Sequence, residues 1–498
     1  MNIAMFKRLA ALTLGLAAGS TQAQLASNLF IDTKAMSMGN AVTADPVGIM
    51  SIHFNPAGLT KLDGRQVQFG LQTIHLEATY DFEVPDHYDS EGELLNIDED
   101  PVAGTKGKAS AAAYVPEYGI LPMDFLPLLS LPSAGMSIQP EGSRFTFANA
   151  VYAPMVAGFA KEDDDPGRYQ AKKVAMQRFA YFTPSFGYKV SDEFAIGVSF
   201  LFNHHAVALE QDLRAPNVLI AVGEQLQDAF GCFEGDTNIP TGNDPLVPLI
   251  ALCGGKIGPY EDIGTLSIEM SETLSPSFNV GFLWEPEDWF AWGVTYQSGA
   301  TTHLKGTYDL EYTDDFAGFF QKFQSTILGA IGGAIFQLPS GVKHESGMVS
   351  AEQEFPQHFQ TGIKLRFLDD FQFNYDLGWT DYDKWDELLL EFDRPVSFLS
   401  AAKIMAPGLV TDSTLAQPLG FKSVWSHAFG FAYDLNSRVQ LRAGYEPRET
   451  SIPDDRRSIM APLGFATMYS LGMGYQWDKD TVVDFSIAFL ESEETILA

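Results

Sequence analysis

The stretch Phe54-Asn55-Pro56-Ala57-Gly58-Leu59-Thr60 lies just ahead of the first long segment of alternating polarity. An Asn before Pro favours a turn, Pro56 fixes φ and lacks a backbone donor, and Gly58 relaxes the chain. The stretch can therefore neither continue a helix nor join a β-ladder. Residues 35–45, upstream of it, are small and follow no clear period, which suits a segment packed inside something larger. We interpret the stretch as part of a plug.

Residues 1–23 have the pattern of a secretory signal peptide. Lys7 and Arg8 precede an apolar run over residues 9–18, and the small residues 21–23 form a cleavage site. The run is too short for a membrane-spanning helix, which needs about 20 residues. No later apolar run is long enough either, so a mature chain placed in a membrane has to be a closed barrel.

The composition fits strands with an apolar outer face. The chain has 38 Phe, 18 Tyr, 7 Trp and 44 Gly, yet its mean hydropathy is only -0.03. The formal charge of -33, from 64 acidic and 31 basic residues, argues against nucleic acid as a partner. The acidic residues cluster in predicted loops, where they are either simply solvated or bind divalent cations at a lipopolysaccharide surface.

Thirteen segments of alternating polarity follow the plug. They cover about residues 65–82, 111–120, 144–153, 176–190, 194–211, 264–284, 289–312, 353–367, 371–393, 422–434, 438–446, 466–477 and 481–491. Short polar turns flanked by aromatic residues lie at one end: Ser191–Glu193, Glu285–Asp288, Leu368–Asp370, Leu435–Ser437 and Asp478–Asp480. Long connections lie at the other end. This asymmetry is typical of an outer-membrane barrel, and a soluble β-sandwich is the alternative.

An Asn-Pro-Ala-Gly-Leu-Thr stretch in a small-residue arm ahead of such strands resembles the FadL family of outer-membrane channels for hydrophobic compounds. The resemblance implies a 14-stranded transmembrane antiparallel β-barrel over residues 65–498. It also implies an N-terminal hatch, residues 24–64, that plugs the lumen, and a monomer. Because thirteen is an odd count and bacterial barrels are normally even, we interpret the sequence as ending before its last strand.

Two long loops, about 212–264 and 313–352, carry far more apolar residues than solvated loops require. Packing of the loops on themselves is one explanation. The resemblance implies another, an outward-facing groove where ligand first docks, formed by Leu219, Leu226, Phe320, Phe323 and Leu328. It also implies a gating role for Asn55, Pro56, Ala57 and Gly58, for which a purely structural plug is the alternative.

A ligand carboxylate would need a cation in the lumen, and the candidates are Arg178, Lys364 and Arg366. Of the adjacent pair His204 and His205, at most one faces inward, because neighbouring strand residues point to opposite faces. The two cysteines, Cys232 and Cys253, lie in one predicted loop of an exported chain, which favours a disulfide over a metal site.

The chain has no Gly-x-Ser-x-Gly or His-Glu-x-x-His motif and no phosphate-binding loop, so we expect neither an enzyme nor a cofactor. We expect passive, hatch-gated uptake of hydrophobic compounds across the outer membrane, with long-chain fatty acids as the substrates. Aromatic hydrocarbons are the second substrate class that fits such a channel. The same barrel would also suit a non-transporting adhesin or phage receptor, or an outer-membrane lipid hydrolase.

Overall fold

The computed structural model describes residues 28–83, 100–115, 119–122, 128–216, 218–233, 252–336, 340–405, 408–453, 465–492 and 496–497. The predicted signal peptide, residues 1–23, lies outside these ranges. None of the helices in these ranges has the length and apolar character needed to cross a membrane.

Strands dominate the described residues. They are β1 Arg65–His75, β2 Glu77–Glu83, β3 Lys106–Val115, β4 Gly119–Pro122, β5 Leu128–Ile138, β6 Phe145–Ala160, β7 Lys173–Phe182, β8 Ser185–Lys189, β9 Phe194–Leu213, β10 Gly264–Glu287, β11 Phe290–Gln297, β12 Ala300–Tyr312, β13 His344–Phe355, β14 His358–Phe367, β15 Phe371–Thr380, β16 Glu387–Phe392, β17 Thr414–Pro418, β18 Val424–Asn436, β19 Val439–Arg448, β20 Ala466–Gln476, β21 Val482–Ser492 and β22 Ile496–Leu497.

These strands form one ladder that runs from β1 through β5 to β21 and is antiparallel throughout. A short parallel pair between β2 and β22 is the exception among the described strands. Irregularities split several of the thirteen predicted segments, so β11 and β12 both pair with β10. The ladder ends, in the residues described, at β1 and β21.

Alternation along β9 distinguishes the two faces of the sheet. Leu201 and Asn203 are buried, whereas Phe200, next to Leu201, is 46% exposed. The exposed face is apolar and the buried face carries polar residues, which reverses the usual pattern of a water-soluble sheet and fits a lipid-facing exterior. His205 continues the inward series of β9, so His204 points outward.

The predicted short turns lie where the sequence places them. The connection between β14 and β15 has Leu368 and Asp369 at positive φ, 55° and 56°, the conformation that a tight hairpin of this twist requires. Two turn tryptophans, Trp289 and Trp477, are 57% and 67% exposed. They match the aromatic girdle of a membrane boundary.

The sequence prediction missed β5, the short strands β17 and β22, and most of β13, which lies within the predicted loop 313–352. The thirteen predicted segments leave residues 121–143 as a connection, but β5 lies there and pairs with both β1 and β6. Pro132 and Gly135, both weak strand formers, mask its alternation.

Six α-helices accompany the strands in the described ranges. They are α1 Thr33–Ser37, α2 Ser51–Phe54, α3 Val218–Ala229, α4 Asp314–Gln324, α5 Ile327–Phe336 and α6 Ser397–Met405. The first two belong to an N-terminal segment, residues 28–62, that packs against inward-facing strand residues such as Ala148, Tyr152 and Leu201. The other four lie in the long connections, at the end of the strands opposite the short turns.

Candidate functional site

Glycines on the inner face let the N-terminal segment pack directly on the strand backbones. A Cβ added at Gly197 would overlap Pro56, one at Gly281 would overlap the Asn55 side chain, and one at Gly293 would overlap the Thr43 carbonyl. The same holds for Gly444 and Gly472 against Gly39 and Ser37. Each of these glycines lies close to a short turn, so together they form a belt at one level of the sheet, which we call the glycine belt.

The predicted hatch residues form a tight local structure on this belt. Asn55 caps the 3-10 turn Pro56–Lys61 through a hydrogen bond from the Ala57 amide, 3.1 Å, to its Oδ1. Its Nδ2 donates to the carbonyls of Thr43, 2.7 Å, and Phe282, 2.9 Å. A Cβ at Gly58 would lie 2.8 Å from Pro46 Cβ. The turn predicted from the Asn-Pro pair is therefore present, and it is tied to β10.

Polar side chains on the inner face of the strands, which we call the wall, form hydrogen bonds to the same segment. Asp376 Oδ2 accepts hydrogen bonds from the Thr43 amide, 2.8 Å, and hydroxyl, 2.7 Å. Asn374 donates to Ala41 O, 2.8 Å, and Asn279 to Ile52 O, 3.1 Å. We name these three wall residues the polar clamp. Sequence reasoning missed them, although polar residues at inward positions of apolar strands were a usable signal.

Two of the three predicted carboxylate partners are already paired. Lys364 Nζ lies 3.5 Å from Glu285, which also pairs with Lys61 of the N-terminal segment. Burial alone would raise the pKa of the Asp45 carboxyl, but the charges of Lys34 and Lys364 outweigh it and lower that pKa to about 2. Lys364 thus belongs to an ion-pair chain at the short-turn end.

Arg366 is likewise committed, because it pairs with Asp434 at the same end of the sheet.

Arg178 differs from both. It lies on β7 directly opposite His205 of β9, and both face inward. Its guanidinium stacks over Phe355, 4.4 Å from the ring centroid, and the His205 ring contacts the same phenyl at 4.6 Å. Among the described residues, the Arg178 side chain makes one hydrogen bond, from Nη2 to Ser277 Oγ, 3.2 Å.

Around Arg178 lies a cluster of side chains, several of which have buried polar atoms without hydrogen-bond partners. We call this cluster the chamber. It comprises Tyr152, Arg178, Asn203, His205 and Phe355. In the described part of the chain no hydrogen-bond partner meets Arg178 Nε, either His205 ring nitrogen, Tyr152 Oη or Asn203 Oδ1. His205, Tyr152 and Asn203 are fully buried. Since buried polar groups are normally satisfied, the chamber is suited to a polar ligand group.

The residues of β9 show where the chamber lies relative to the glycine belt. The strand starts at the short turn with Phe194 and ends at the long connection with Leu213. Gly197 meets the N-terminal segment, and Asn203 and His205 follow farther along. The chamber therefore lies beyond the segment, toward the long connections. His53 of the N-terminal segment contacts the chamber, because its ring centroid lies 5.5 Å from that of Tyr152.

At the long-connection end a cavity of about 60 Å³ lies between three connections. Its apolar wall consists of Ala215, Ile220, Ile257, Ile263, Phe316, Phe319, Phe320, Phe398, Ala401 and Ala402, with Lys256, Gly258, Glu261 and Asp262 at its polar side. We call it the groove. Its third wall, α6, comes from residues that the sequence prediction did not include.

The predicted groove residues are placed unequally. Phe320 lines the groove. Phe323 stacks on Phe319, with centroids 6.0 Å apart, behind that wall. Leu226 is 42% exposed on α3, away from the cavity. Leu219 and Leu328 belong to α3 and α5, but their side chains lie outside the described set.

The structure confirms the predicted disulfide between Cys232 and Cys253, whose Cα atoms are 5.0 Å apart. The linked segment is further fixed by Gln227, which donates to the carbonyls of Leu252, 2.7 Å, and Gly255, 2.9 Å. A Cβ at Gly255 would overlap Asp315, so this segment packs closely on α4, a wall of the groove. Within the described residues no group of three or more His, Cys, Asp or Glu side chains is arranged for a metal ion.

Comparison with known proteins adds family and fold. The profile of a family described as outer membrane protein transport protein (OMPP1/FadL/TodX) matches residues 13–498. No curated protein sequence matches the chain.

Three solved structures show the fold. A Pseudomonas aeruginosa FadL homologue is 18% identical, with TM-score 0.61 and coverage of 93% of this chain and 90% of that one. The Ralstonia pickettii toluene transporter TbuX is 15% identical, with TM-score 0.56 and coverage of 93% and 99%. The Pseudomonas putida toluene transporter TodX is 16% identical, with TM-score 0.55 and coverage of 91% and 90%. These likenesses show an antiparallel outer-membrane β-barrel.

Proposed function

Since the chain belongs to the OMPP1/FadL/TodX family of outer-membrane transport proteins, we propose that it is a channel whose preferred substrates are long-chain fatty acids. The family is made up of channels for hydrophobic compounds and not of enzymes. The observation that carries the choice of substrate is Arg178, the predicted lumen cation to which the described residues supply no carboxylate.

A half-buried guanidinium without an anion favours a carboxylate ligand. Arg presents a planar fork of donors that matches a carboxylate, and such charge-assisted bonds are about twice as strong as neutral ones. Lys364 and Arg366 do not compete for this role, because Glu285 and Asp434 neutralise them. An aromatic hydrocarbon has no charged group to offer Arg178, and Phe355 already occupies one face of the guanidinium.

A continuous apolar cluster supports a route for the hydrocarbon tail from the groove to the chamber. Phe398 of the groove and Phe355 of the chamber belong to one hydrophobic cluster, which also contains Tyr312. Tyr312 stacks on Phe316 of the groove, with centroids 5.1 Å apart. Removing apolar surface from water contributes about 25 cal/mol per Å², so the tail is stabilised when it enters the groove and stays stabilised along an apolar route. The transfer is passive.

In this proposal the N-terminal segment acts as the hatch. The predicted hatch, residues 24–64, also includes residues 24–27, which precede the described residues. Asn55, Pro56, Ala57 and Gly58 hold its turn, and the polar clamp holds it to the wall. The ligand passes when the hatch shifts off the glycine belt. Residues 1–23 are removed as a signal peptide. The protein works as a monomer in contact with outer-membrane lipid and lipopolysaccharide, with no nucleic acid and no cofactor.

Substitution of Arg178 tests this function. Arg178→Gln keeps a polar side chain but removes the charge, so we expect about a tenfold or larger loss in hexadecanoate affinity, because a hydrogen bond to a charged group contributes about 1.5–3 kcal/mol. Toluene uptake should change by less than about twofold, since its binding involves no charge. Binding is measured on purified protein in nanodiscs, and uptake in a deletion strain that expresses each variant.

Arg366→Gln is the matched control, because Arg366 lies at the short-turn end and pairs with Asp434. It should leave hexadecanoate affinity unchanged. Unaltered hexadecanoate binding by the Arg178 variant would remove the fatty-acid assignment.

Aromatic hydrocarbon transport is the second candidate. It is favoured by the phenyl rings of Phe316, Phe319 and Phe320 in the groove wall, and two of the similar structures are toluene transporters. Strong toluene uptake together with absent hexadecanoate binding in the unaltered protein would favour this candidate.

A further inference from the structure

The chamber contains an acceptor that a carboxylate cannot satisfy. Asn203 is fully buried, and its Nδ2 donates to Ser275 O, 2.9 Å, and to Ser277 Oγ, 3.2 Å. Because Ser275 contributes a carbonyl, the amide nitrogen has to face it, and this fixes the orientation of the amide group. Asn203 Oδ1 then points away and has no partner among the described residues. It needs a donor, and an ionised carboxylate has none.

Arg178 and Asn203 lie side by side. Each contacts Ser277 Oγ, Arg178 through Nη2 at 3.2 Å and Asn203 through Nδ2 at 3.2 Å. Arg178 therefore offers donors to an anion next to an unpaired acceptor. One small ligand group that both accepts and donates hydrogen bonds can contact both residues.

Two more unpaired groups surround this pair. Tyr152 of β6 and Asn203 of β9 are both opposite Ala180 of β7, so they lie in one row across three strands. The side chain between them in this row, that of Ala180, is a single methyl group. His205 occupies the next row with Arg178. Tyr152 Oη donates or accepts, and a neutral His205 offers one donor and one acceptor.

We propose that the chamber recognises hydroxylated long-chain acids, with the carboxylate on Arg178 and His205 and a nearby hydroxyl group between Asn203 Oδ1 and Tyr152 Oη. This proposal rests on the proposed function and specifies its substrate class. The hydroxyl lies close to the carboxyl group, at carbon 2 or 3, because Arg178 and Asn203 share a contact atom. A hydroxyl farther along the chain would lie among the mainly apolar side chains of the cluster instead, where its burial costs free energy unless it forms a hydrogen bond.

The test compares hexadecanoate with 3-hydroxyhexadecanoate on the full-length protein in nanodiscs by calorimetry. The hydroxyl makes the second ligand more water-soluble, so without recognition it binds more weakly. We expect it to bind about fivefold tighter or more, the effect of one to two added hydrogen bonds. A 12-hydroxylated isomer should lose this advantage.

Variants assign the preference to residues. Tyr152→Phe removes only the hydroxyl and should lower the preference for the 3-hydroxy acid severalfold. Asn203→Leu should abolish it, and Tyr152→Phe keeps the proposal testable if the Leu variant fails to fold. Tyr181→Phe is the control, because Tyr181 is an exposed residue of β7 that donates to Thr273 O and should keep the full preference.

The outcomes separate the two proposals. Binding of neither acid overturns the proposed function and this inference with it. Equal binding of both acids, or tighter binding of hexadecanoate, shows that water satisfies Asn203 and Tyr152, and it overturns the inference alone. A preference that survives in both the Tyr152 and Asn203 variants also contradicts it.

Discussion

The contact between hatch and wall and the chamber just beyond it use similar residues in opposite ways. In the contact, Asp376, Asn374 and Asn279 all hydrogen-bond to the hatch. In the chamber, Asn203, His205 and Tyr152 are equally buried but keep unpaired polar atoms. Each of the three clamp residues already binds the N-terminal segment, and Asp376 Oδ1 is the one buried polar side-chain atom of the clamp without a partner among the described residues, whereas Asn203, His205 and Tyr152 of the chamber keep four such atoms. In the mechanism that we propose, the contact stabilises the closed state, and the ligand binds in the chamber.

The largest expected effect comes from filling the glycine belt. Gly281→Val places a side chain where the Asn55 side chain now lies. Because the two side chains would overlap, either the backbone of β10 or the hatch has to move. We expect the hatch to be displaced and the barrel to admit large hydrophilic antibiotics that the unaltered protein excludes. Antibiotic sensitivity of cells that express the variant measures this.

Gly408→Val is the matched control, because a Cβ there meets no atom within 4 Å. It should leave the cells resistant. Equal resistance with both variants would mean that the belt does not position the hatch.

A smaller effect is expected from the polar clamp. Asp376→Ala removes the acceptor for the amide and hydroxyl of Thr43. Loss of these charge-assisted bonds should weaken hatch docking by about 3 kcal/mol. Amide hydrogen exchange across residues 28–62 should then accelerate by about a hundredfold, while exchange in β9 stays slow.

Asp434→Ala provides the comparison for that experiment, because it removes a carboxylate that pairs with Arg366 at the short-turn end. Hatch exchange as fast in this variant as in Asp376→Ala would contradict a specific role for the clamp.

Local chemistry made much of the fold predictable. The Asn-Pro pair determines the turn at Asn55, and the short loop at Leu368 and Asp369 follows from the alternation on either side. Such features depend on residues that are neighbours in sequence. The strand β5 was not predicted because Pro132 interrupts its alternating pattern. Its pairing with β1, a contact between residues far apart in sequence, stabilises the strand in spite of the proline.

The candidate site was less predictable, because its properties depend on residues far apart in the chain. Arg178, Lys364 and Arg366 look equivalent as strand cations. Only the fold brings Glu285 to Lys364 and Asp434 to Arg366, and leaves Arg178 over Phe355. The third wall of the groove has the same origin, since Phe398 is distant in sequence from Phe320.

A reversible lock on the hatch tests the central claim most directly. A Cβ at Gly430 would lie 3.2 Å from Met38 Cβ and 2.8 Å from the Met38 carbonyl oxygen, so the pair Gly430→Cys and Met38→Cys can form a disulfide once the backbone at Met38 shifts slightly. Each single variant controls for the effect of reduction on Cys232–Cys253. The account predicts that the oxidised double variant takes up no hexadecanoate and that reduction restores uptake. Uptake at the same rate in the oxidised and reduced forms would contradict it.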